Sequence, residues 1–98
     1  TVVFMSNRMH HNLQPTIENL KGLKVWDKKD LFLLREDKQD TKDLRRKEVL
    51  EGKGRMNKVG PLKVLAYLGD QIGDFPIKSD EGFGVSQFLL PNPTYGKW

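Results

Sequence analysis

The sequence predicts an α/β fold in which a parallel sheet is flanked by helices. Two observations support this prediction: short apolar runs typical of buried strands alternate with polar stretches of helical character, and three of the runs end abruptly in polar residues. With 98 residues, the chain has room for one small domain or part of one. Residues 1–98 are therefore predicted to form a single segment.

Four apolar runs are predicted to be strands. The first is continuous and gives way to Ser6-Asn7-Arg8, as expected of a strand that is buried on both faces and opens into a polar loop. The third is the clearest central strand and leads directly into Gly69-Asp70. Prolines follow the last run and end it. The predicted strands cover residues 2–5, 31–34, 63–68 and 88–90.

Two helices are predicted between these strands. After Pro15, apolar residues recur at helical spacing, and Gly22 lies near the predicted end. The second helix is predicted over residues 41–50, with Asp40 or Thr41 as its N-terminal cap and glycines after it as the stop.

Composition excludes several classes of function. The chain has no cysteine, so disulfides, thiolate zinc sites and cysteine nucleophiles are excluded. No apolar run approaches the roughly 18 residues of a membrane span, and the first five residues are too short for a secretory leader, so we expect a soluble segment. The net charge is +4. Most basic residues alternate with acids, which is typical of a solvated face, so we expect no nucleic-acid partner.

The polar residues after three predicted strands suggest a binding site. In a parallel α/β sheet the carboxyl ends of the strands lie along one edge, where ligands bind. The polar residues are Ser6-Asn7-Arg8, residues 35–38 and Gly69-Asp70. We therefore expect these three loop clusters to converge on one rim.

The residue types in these clusters suit a phosphate ester. Such an anion requires hydroxyl or amide donors, a fixed cation and often Mg²⁺. Ser6 supplies a hydroxyl, and Lys42 supplies an ammonium group beside the free amides of a helix N-terminus. Asp70 and Asp74 are spaced to reach one Mg²⁺, which prefers carboxylate and water oxygens.

Each candidate also has an ordinary structural interpretation. A serine at a strand end is often a turn residue, a lysine in a first helical turn is often a solvated charge, and an aspartate after glycine is often a cap. His10 and His11 are adjacent imidazoles in a polar loop, and adjacent imidazoles seldom chelate one ion, so no role is assigned to them. Residues 45–47 are predicted to form a solvated helix face rather than a phosphate grip, with Arg45 as a candidate partner for an acid near the site.

Taken in order, the motifs resemble a known family. They are Phe4-Met5-Ser6-Asn7-Arg8, Thr16-Ile17-Glu18-Asn19-Leu20-Lys21, Leu33-Leu34-Arg35, Thr41-Lys42-Asp43-Leu44-Arg45-Arg46, Leu68-Gly69-Asp70-x-x-x-Asp74-Phe75 and Leu90-Pro91-Asn92-Pro93-Thr94-Tyr95-Gly96-x-Trp98. Together they look like the C-terminal half of the class C acid phosphatases, the bacterial lipoprotein-e type of the haloacid dehalogenase superfamily. The resemblance covers nearly the whole chain. It implies a Rossmann-like sheet of the haloacid dehalogenase type that is incomplete in this chain.

The resemblance also implies an activity. Such enzymes are Mg²⁺-dependent phosphomonoesterases that form an aspartyl-phosphate and hydrolyse it with water; nucleoside monophosphates and aryl phosphates are the implied substrates.

Matched motif by motif, the resemblance gives the following roles. Ser6 and Lys42 are catalytic contacts to the phosphoryl group; Asn7 and Arg8 bind substrate; Tyr95 stacks on its ring; Asp70 and Asp74 serve the metal.

Departures from the family pattern limit these expectations. The first motif, an Asp-rich strand end that supplies the nucleophile, has no counterpart in this sequence, so the chain resembles half an enzyme whose partner is the missing N-terminal half. We therefore expect this fragment alone to be inactive. One extra residue lies between Lys38 and Lys42, which makes Lys38 a rival for the phosphate lysine. Gln71 replaces a common asparagine, and the shortened stretch between Phe75 and Leu90 leaves the position of Tyr95 open.

Two other functions stay open at this point. The chain could be a non-catalytic module that binds nucleotides or phosphate, since the pocket residues are present and the nucleophile is not. A basic nucleic-acid binder is the third hypothesis, and it predicts a steep salt dependence. The resemblance implies a location in the bacterial cell envelope or outside the cell. A homo-oligomer is also compatible with the sequence.

Overall fold

The computed structural model describes residues 1–76 and 82–94. Its strands are β1 (Val3–Met9), β2 (Leu31–Arg35), β3 (Tyr67–Gly69) and β4 (Gln87–Leu89), and its helices are α1 (Leu13–Gly22) and α2 (Lys42–Glu51). Short 3-10 turns cover His10–Asn12, Gly54–Met56 and Ile72–Asp74. The chain divides into two compact units, Thr1–Arg45 and Arg46–Trp98.

The first unit is built on a parallel pair of strands. β1 pairs with β2 in regular register from Val3 opposite Leu31 to Ser6 opposite Leu34. Leu33 and Leu34 are buried in the core of the unit. After Ser6 the register shifts, and the next aligned pair is Met9 with Arg35. The prediction placed the end of this strand at residue 5; the strand instead continues through Met9, because residues 7 and 8 form a bulge rather than a departing loop.

Helix α1 connects the two parallel strands and begins earlier than predicted. Pro15 is its third residue, a position where the missing N–H costs nothing because first-turn amides have no partner within the helix. At the other end the left-handed residue is Lys24, with φ of 59°. The amide of Lys24 donates to the Lys21 carbonyl at 3.0 Å and the amide of Val25 to the Leu20 carbonyl at 3.1 Å. These two bonds form a Schellman motif, so the helix ends through Lys24 rather than through Gly22.

The second unit contains another parallel pair. β3 runs beside β4, with Tyr67 opposite Gln87 and Gly69 opposite Leu89. Val49, Met56 and Phe75 are its buried apolar residues. One further backbone hydrogen bond extends the ladder: the amide of Leu90 donates to the Gly69 carbonyl.

The predicted strand over residues 63–68 is shorter in the structure. Only Tyr67–Gly69 has strand geometry, because β4, its partner among the described residues, reaches only that far. Leu65 is 80% exposed and Leu68 is 69% exposed. Strands of parallel sheets are normally covered on both faces, so this unit presents an apolar surface of the kind that is usually buried.

The α/β prediction is confirmed, since both units carry parallel strand pairs and α1 and α2 are the helices of the described chain. The predicted second helix is shifted by one residue, to Lys42–Glu51. Gly52 follows it with φ of 66°, and a side chain there would collide with Pro61. Within residues 1–76 and 82–94, no helix is long and apolar enough to cross a bilayer.

Candidate functional site

A buried arginine organises the bulge of β1 and the part of β2 beside it. The Arg45 side chain is completely buried. Its Nη1 donates to the carbonyl oxygens of Ser6 and Leu33, the latter at 3.3 Å. Its Nη2 donates to Asn7 Oδ1 at 2.6 Å. A single guanidinium therefore binds the last regularly paired residue of β1, the neighbouring strand and the bulge. It uses the fixed fork of donors that lysine lacks.

The loop before α2 supplies the charge that balances Arg45. Arg45 Nε lies 3.2 Å from Asp40 Oδ1, and both side chains are buried. The other oxygen of Asp40 accepts the Glu36 amide at 2.9 Å, which fixes the loop after β2. Arg45 Nε also donates to the Thr41 carbonyl at 3.2 Å. Because the ion pair is buried and its hydrogen bonds are satisfied, removing one partner would leave a charge without compensation.

The N-terminal cap of α2 is Thr41 rather than Asp40. Thr41 Oγ1 accepts the amide of Leu44 at 3.2 Å, three residues further on, which is the bond of an N-cap threonine. Lys42 is consequently the first residue of the helix and is half-buried. Since Arg45 lies one turn later and is bonded to Ser6 and Asn7, the structure brings the bulge of β1 and the first turn of α2 together within the first unit.

The side chains of Ser6 and Asn7 are both oriented by hydrogen bonds that they accept. Ser6 Oγ accepts the amide of Arg8 at 3.1 Å. Asn7 Oδ1 accepts from Arg45, so the two N–H donors of the amide face away from the guanidinium, on an exposed residue. Asn7 therefore directs its oxygen toward Arg45, and Ser6 keeps a hydroxyl proton that it can donate.

Arg8 is held against α1 rather than projecting alone. Its Nη1 donates to Thr16 Oγ1 at 3.0 Å, and the Thr16 hydroxyl donates to the Asn12 carbonyl at 2.7 Å.

The neighbouring His10 and His11 lie in a short exposed 3-10 turn. Lys38, the rival of Lys42, is exposed, and its carbonyl accepts from Arg35 Nη2 at 3.0 Å. The choice between the two lysines stays a prediction.

The predicted metal residues lie on a tight loop after β3. Asp74 Oδ2 accepts the amide of Asp70 at 3.0 Å and that of Gln71 at 3.3 Å, so this carboxylate caps the loop from within. The close approach depends on Gly69, because a Cβ there would lie 2.5 Å from Asp74 Cβ. Arg46, a buried residue, donates to the Asp74 carbonyl at 3.1 Å.

Asp70 is held by an asparagine from the segment after β4. Asn92 Nδ2 donates to Asp70 Oδ2 at 3.1 Å. The orientation of the Asn92 amide is set by Thr94, whose backbone amide donates to Asn92 Oδ1 at 2.9 Å and whose hydroxyl donates to the same oxygen. The carboxylate of Asp70 is therefore oriented by a second strand end of the same unit.

These contacts correct the prediction for residues 45–47. A solvated face was expected, but Arg45 and Arg46 are buried and only Lys47 is well exposed, at 68% of its side chain. The alternative, in which Arg45 pairs with an acid near the site, describes the structure. The reason is that backbone carbonyls and Asp40 accept hydrogen bonds from the guanidinium groups, and these bonds offset the cost of removing the charges from water.

The donor set of the second unit suits Mg²⁺ in part. Among residues 1–76 and 82–94, no group of three or more histidine, cysteine, aspartate or glutamate side chains is close enough to hold a metal ion. Mg²⁺ usually keeps several waters and binds one or two protein carboxylates together with substrate oxygens. Asp70 and Asp74 therefore fit such a partial set, with Asp74 already committed to two backbone amides.

Two predicted features are not tested by these contacts. Tyr95 lies outside the described residues. The expectation that the Asp70 loop shares one rim with the Ser6 loop stays a prediction, as do the roles of Ser6, Asn7, Arg8, Lys42, Asp70 and Asp74.

Three residues have a structural role in these loops that the sequence did not predict in full: Asp40 was a candidate cap, Arg45 a candidate partner for an acid, and Asn92 had no assigned structural role. For Asn92, a signal existed in its place within Pro91-Asn92-Pro93-Thr94, because an asparagine two residues before threonine is typical of an Asx turn. Arg45 carried a weaker signal, its position one helical turn after Thr41 in a helix with few apolar residues. Nothing in the spacing indicated that its partners would be main-chain carbonyls.

A protein-family model matches the whole chain. The model of the HAD superfamily, subfamily IIIB (acid phosphatase), matches residues 1–98. Comparisons with curated proteins and with solved structures found no significant match.

Proposed function

The chain belongs to subfamily IIIB of the HAD superfamily, the acid phosphatases, and from this membership we propose that it carries the phosphate- and metal-binding part of a Mg²⁺-dependent phosphomonoesterase. The proposed substrates are nucleoside monophosphates or aryl phosphates. Residues 1–98 would be the C-terminal half of the catalytic domain.

The observation that best supports this proposal is the orientation of Ser6 and Asn7. Asn7 directs its oxygen to Arg45, Ser6 Oγ accepts the Arg8 amide and keeps a hydroxyl proton to donate, and Lys42 begins the helix whose next turn holds that loop. A dianionic ester requires donors and positive charge and is repelled by unpaired acceptors. The arrangement therefore suits a phosphoryl group better than it suits a cation or an apolar ligand.

We assign the steps to residues as follows. Ser6 and Asn7 donate hydrogen bonds to the phosphoryl oxygens, and Lys42 neutralises negative charge on the phosphate and on the attacking carboxylate. Arg8, anchored to Thr16, contacts the substrate at the edge of the loop.

Further proposed roles belong to the metal and the ring of the substrate. Asp70 would hold the Mg²⁺, and Asp74 keeps the Asp70 amide in place and orients the loop. When bound, the metal would supply charge stabilisation for the transferring phosphoryl group. Tyr95 stacks on the substrate ring.

The nucleophile is proposed to come from outside these 98 residues. An aspartate of the first family motif attacks phosphorus, the ester oxygen leaves with a proton from a general acid, and water then hydrolyses the aspartyl-phosphate to regenerate the carboxylate. The exposed Leu65 and Leu68 of the second unit fit a chain that is completed by further sheet and helix. By resemblance, the complete enzyme would lie in the bacterial cell envelope or be secreted, with a homo-oligomer as an open alternative.

Replacement of the phosphate lysine tests the proposal directly. In a protein that joins this chain to the first motif, Lys42→Ala removes a charge-assisted contact of about 1.5–3 kcal/mol, so we expect the rate to fall by roughly one to two decades. Lys38→Ala is the matched control, since Lys38 is an exposed lysine four residues earlier. An unchanged rate in the first variant and a reduced rate in the second would transfer the role to Lys38.

The 98-residue chain should not turn over substrate by itself. The measurement is the hydrolysis of an aryl phosphate by the purified chain with and without Mg²⁺, compared with the Asp70→Ala variant. Mg²⁺-dependent hydrolysis that this substitution abolishes would show that the nucleophile lies within the chain, and the assignment of roles would then be wrong.

A binding module without chemistry is the second candidate. It is favoured by one observation: hydrogen bonds within the chain already fix Ser6 and Asn7, although the sequence contains no Asp-x-Asp after a strand to supply a nucleophile. Titration of a nucleoside monophosphate into the chain, with and without Mg²⁺, separates the candidates. Saturable binding that persists when the first motif is supplied but yields no product would favour the module, and product formation would favour the phosphatase.

A further inference from the structure

We infer that Arg45 is a positioning residue for phosphate recognition: it fixes the Asn7 side chain so that the amide donors of Asn7, and not its oxygen, face the ligand. The inference rests on the proposed function, because it concerns the same phosphate-binding loop. It assigns to Arg45 an effect on ligand affinity that is separate from its contribution to folding.

Arg45 cannot itself contact a substrate. Its side chain has no exposed surface, and its donors are taken by the carbonyl oxygens of Ser6, Leu33 and Thr41, by Asn7 Oδ1 and by Asp40. The ion pair with Asp40 also balances its charge locally. Any influence on the ligand must therefore pass through the groups that Arg45 holds.

Asn7 is the held group that reaches solvent. An asparagine side chain presents either an oxygen acceptor or two N–H donors to a given direction, and a rotation of 180° exchanges them at little cost when nothing distinguishes the two ends. The guanidinium is a pure donor and can bind only the oxygen. Because Arg45 Nη2 lies 2.6 Å from Asn7 Oδ1, the exposed side of Asn7 presents N–H groups.

The bulge makes this control local. Regular pairing of β1 with β2 ends at Ser6, and the Ser6 carbonyl is bound by Arg45. The same guanidinium thus fixes the peptide that precedes Asn7 and the tip of the Asn7 side chain. A lysine at position 45 could keep the charge opposite Asp40 but has a single nitrogen, so it could not bind both groups in this geometry.

The test follows the Asn7 side-chain amide by ¹⁵N NMR while inorganic phosphate is added to the full chain. In the wild-type chain we expect the two Asn7 side-chain amide protons to shift with phosphate concentration. Asn7→Asp keeps an acceptor for Arg45 and removes the donors, so we expect its phosphate Kd to rise at least about tenfold while the unfolding midpoint is maintained.

Arg45→Lys tests the positioning itself. We expect the Asn7 side-chain amide to lose its phosphate-dependent shift, and the phosphate Kd to rise about tenfold, in a chain that still folds. The matched control is Arg55→Lys, which alters an ion pair with Glu48 in the second unit and should leave the Asn7 response unchanged. If Arg45→Lys does not fold, the wild-type titration still tests the inference, because Asn7 side-chain amide protons that do not shift with phosphate would overturn it.

The outcomes separate this inference from the proposed function. If Asn7→Asp and Arg45→Lys bind phosphate as the wild type does, whereas Ser6→Ala and Lys42→Ala bind it more weakly, the inference is wrong and the phosphate site stands. If the wild-type Asn7 amide does not respond to phosphate and no variant changes binding, the inference and the proposed site both fail. Loss of the Asn7 response in Arg45→Lys, with Arg55→Lys unchanged and with weaker phosphate binding by Asn7→Asp, supports positioning by Arg45.

Discussion

The bulge within β1 and the loop after β3 are built in the same way but with opposite charges. Each adjoins the paired residues of a parallel strand pair, and each is held by a charged side chain that lies within its own unit. In the first unit that group is a cation, Arg45, which binds the Ser6 carbonyl and Asn7 Oδ1. In the second unit it is an anion, Asp74, which accepts the amides of Asp70 and Gln71.

The sign of the internal charge determines what each loop presents. A buried guanidinium binds oxygen acceptors, so the N–H groups of Asn7 are directed away from it. An internal carboxylate consumes backbone amides, and the Asp70 loop correspondingly carries a further carboxylate that Asn92 orients. The internal partner, more than the neighbouring strand, therefore determines whether each segment presents hydrogen-bond donors or carboxylate acceptors.

The largest expected effect is on folding, when the cation of the first loop is removed. Arg45→Met retains much of the side-chain volume but leaves the buried Asp40 carboxylate without its cationic partner and removes the Arg45 donors from the carbonyls of Ser6 and Leu33. We expect the free energy of unfolding to fall by about 3–5 kcal/mol, the usual loss when one partner of a buried pair is removed. Chemical denaturation followed by circular dichroism measures this.

The matched control is Arg55→Met in the second unit. Arg55 pairs with Glu48 at 2.7 Å, but both side chains retain more than a fifth of their surface exposed. Its loss should cost about 1 kcal/mol or less. Equal losses in the two variants would contradict the view that Arg45 is the internal charge on which the first loop is built.

A methyl group at Gly69 tests how firmly the Asp74 carboxylate is held in the loop after β3. Gly69→Ala places a Cβ 2.5 Å from Asp74 Cβ and 2.7 Å from Asp74 Oδ2, so the capping carboxylate must move. We expect a destabilisation of about 1–3 kcal/mol, as for overpacking elsewhere. Gly73→Ala, in the same loop, meets nothing within 4 Å and should change stability little. Similar thermal midpoints for the two variants would show that the Asp74 cap adjusts freely.

Asn92 provides a test with a metal as the probe. Asn92→Ala removes the hydrogen bond to Asp70 Oδ2, and the loss of such an outer partner typically weakens metal binding by about 10–100-fold. We expect Mg²⁺ affinity, measured by calorimetry or by competition with Mn²⁺, to fall within this range. Asn57→Ala, at an exposed asparagine of the same unit, is the control. Unchanged affinity in the Asn92 variant would remove Asp70 from the metal site or make its orientation irrelevant.

The sequence predicted the parallel strand pairs and the polar strand ends because apolar runs and their interruption are local signals. Thr41 was recognised as one of two candidate caps for the same reason. The burial of Arg45 was missed because its acceptors are carbonyls of residues 6 and 33, which become neighbours only after β1 and β2 pair. The strand over residues 63–68 was predicted too long because strand geometry requires a partner, and β4 faces only its last part.

The smallest predicted effect is a gain in stability at Lys24, and it tests whether the two units unfold separately. Lys24 ends α1 in the left-handed region, with φ of 59°, where glycine avoids the steric cost that a Cβ carries. Lys24→Gly should therefore stabilise the first unit by about 0.5–1 kcal/mol after the greater freedom of glycine in the unfolded chain is deducted. Lys28→Gly, at an exposed residue of the same loop without a positive φ, should destabilise it by a similar amount. Hydrogen exchange resolves where the gain appears. Slower exchange confined to amides of residues 1–45 would show that the unit with Arg45 and the unit with Asp74 open separately. Equal slowing across both would show that they open as one.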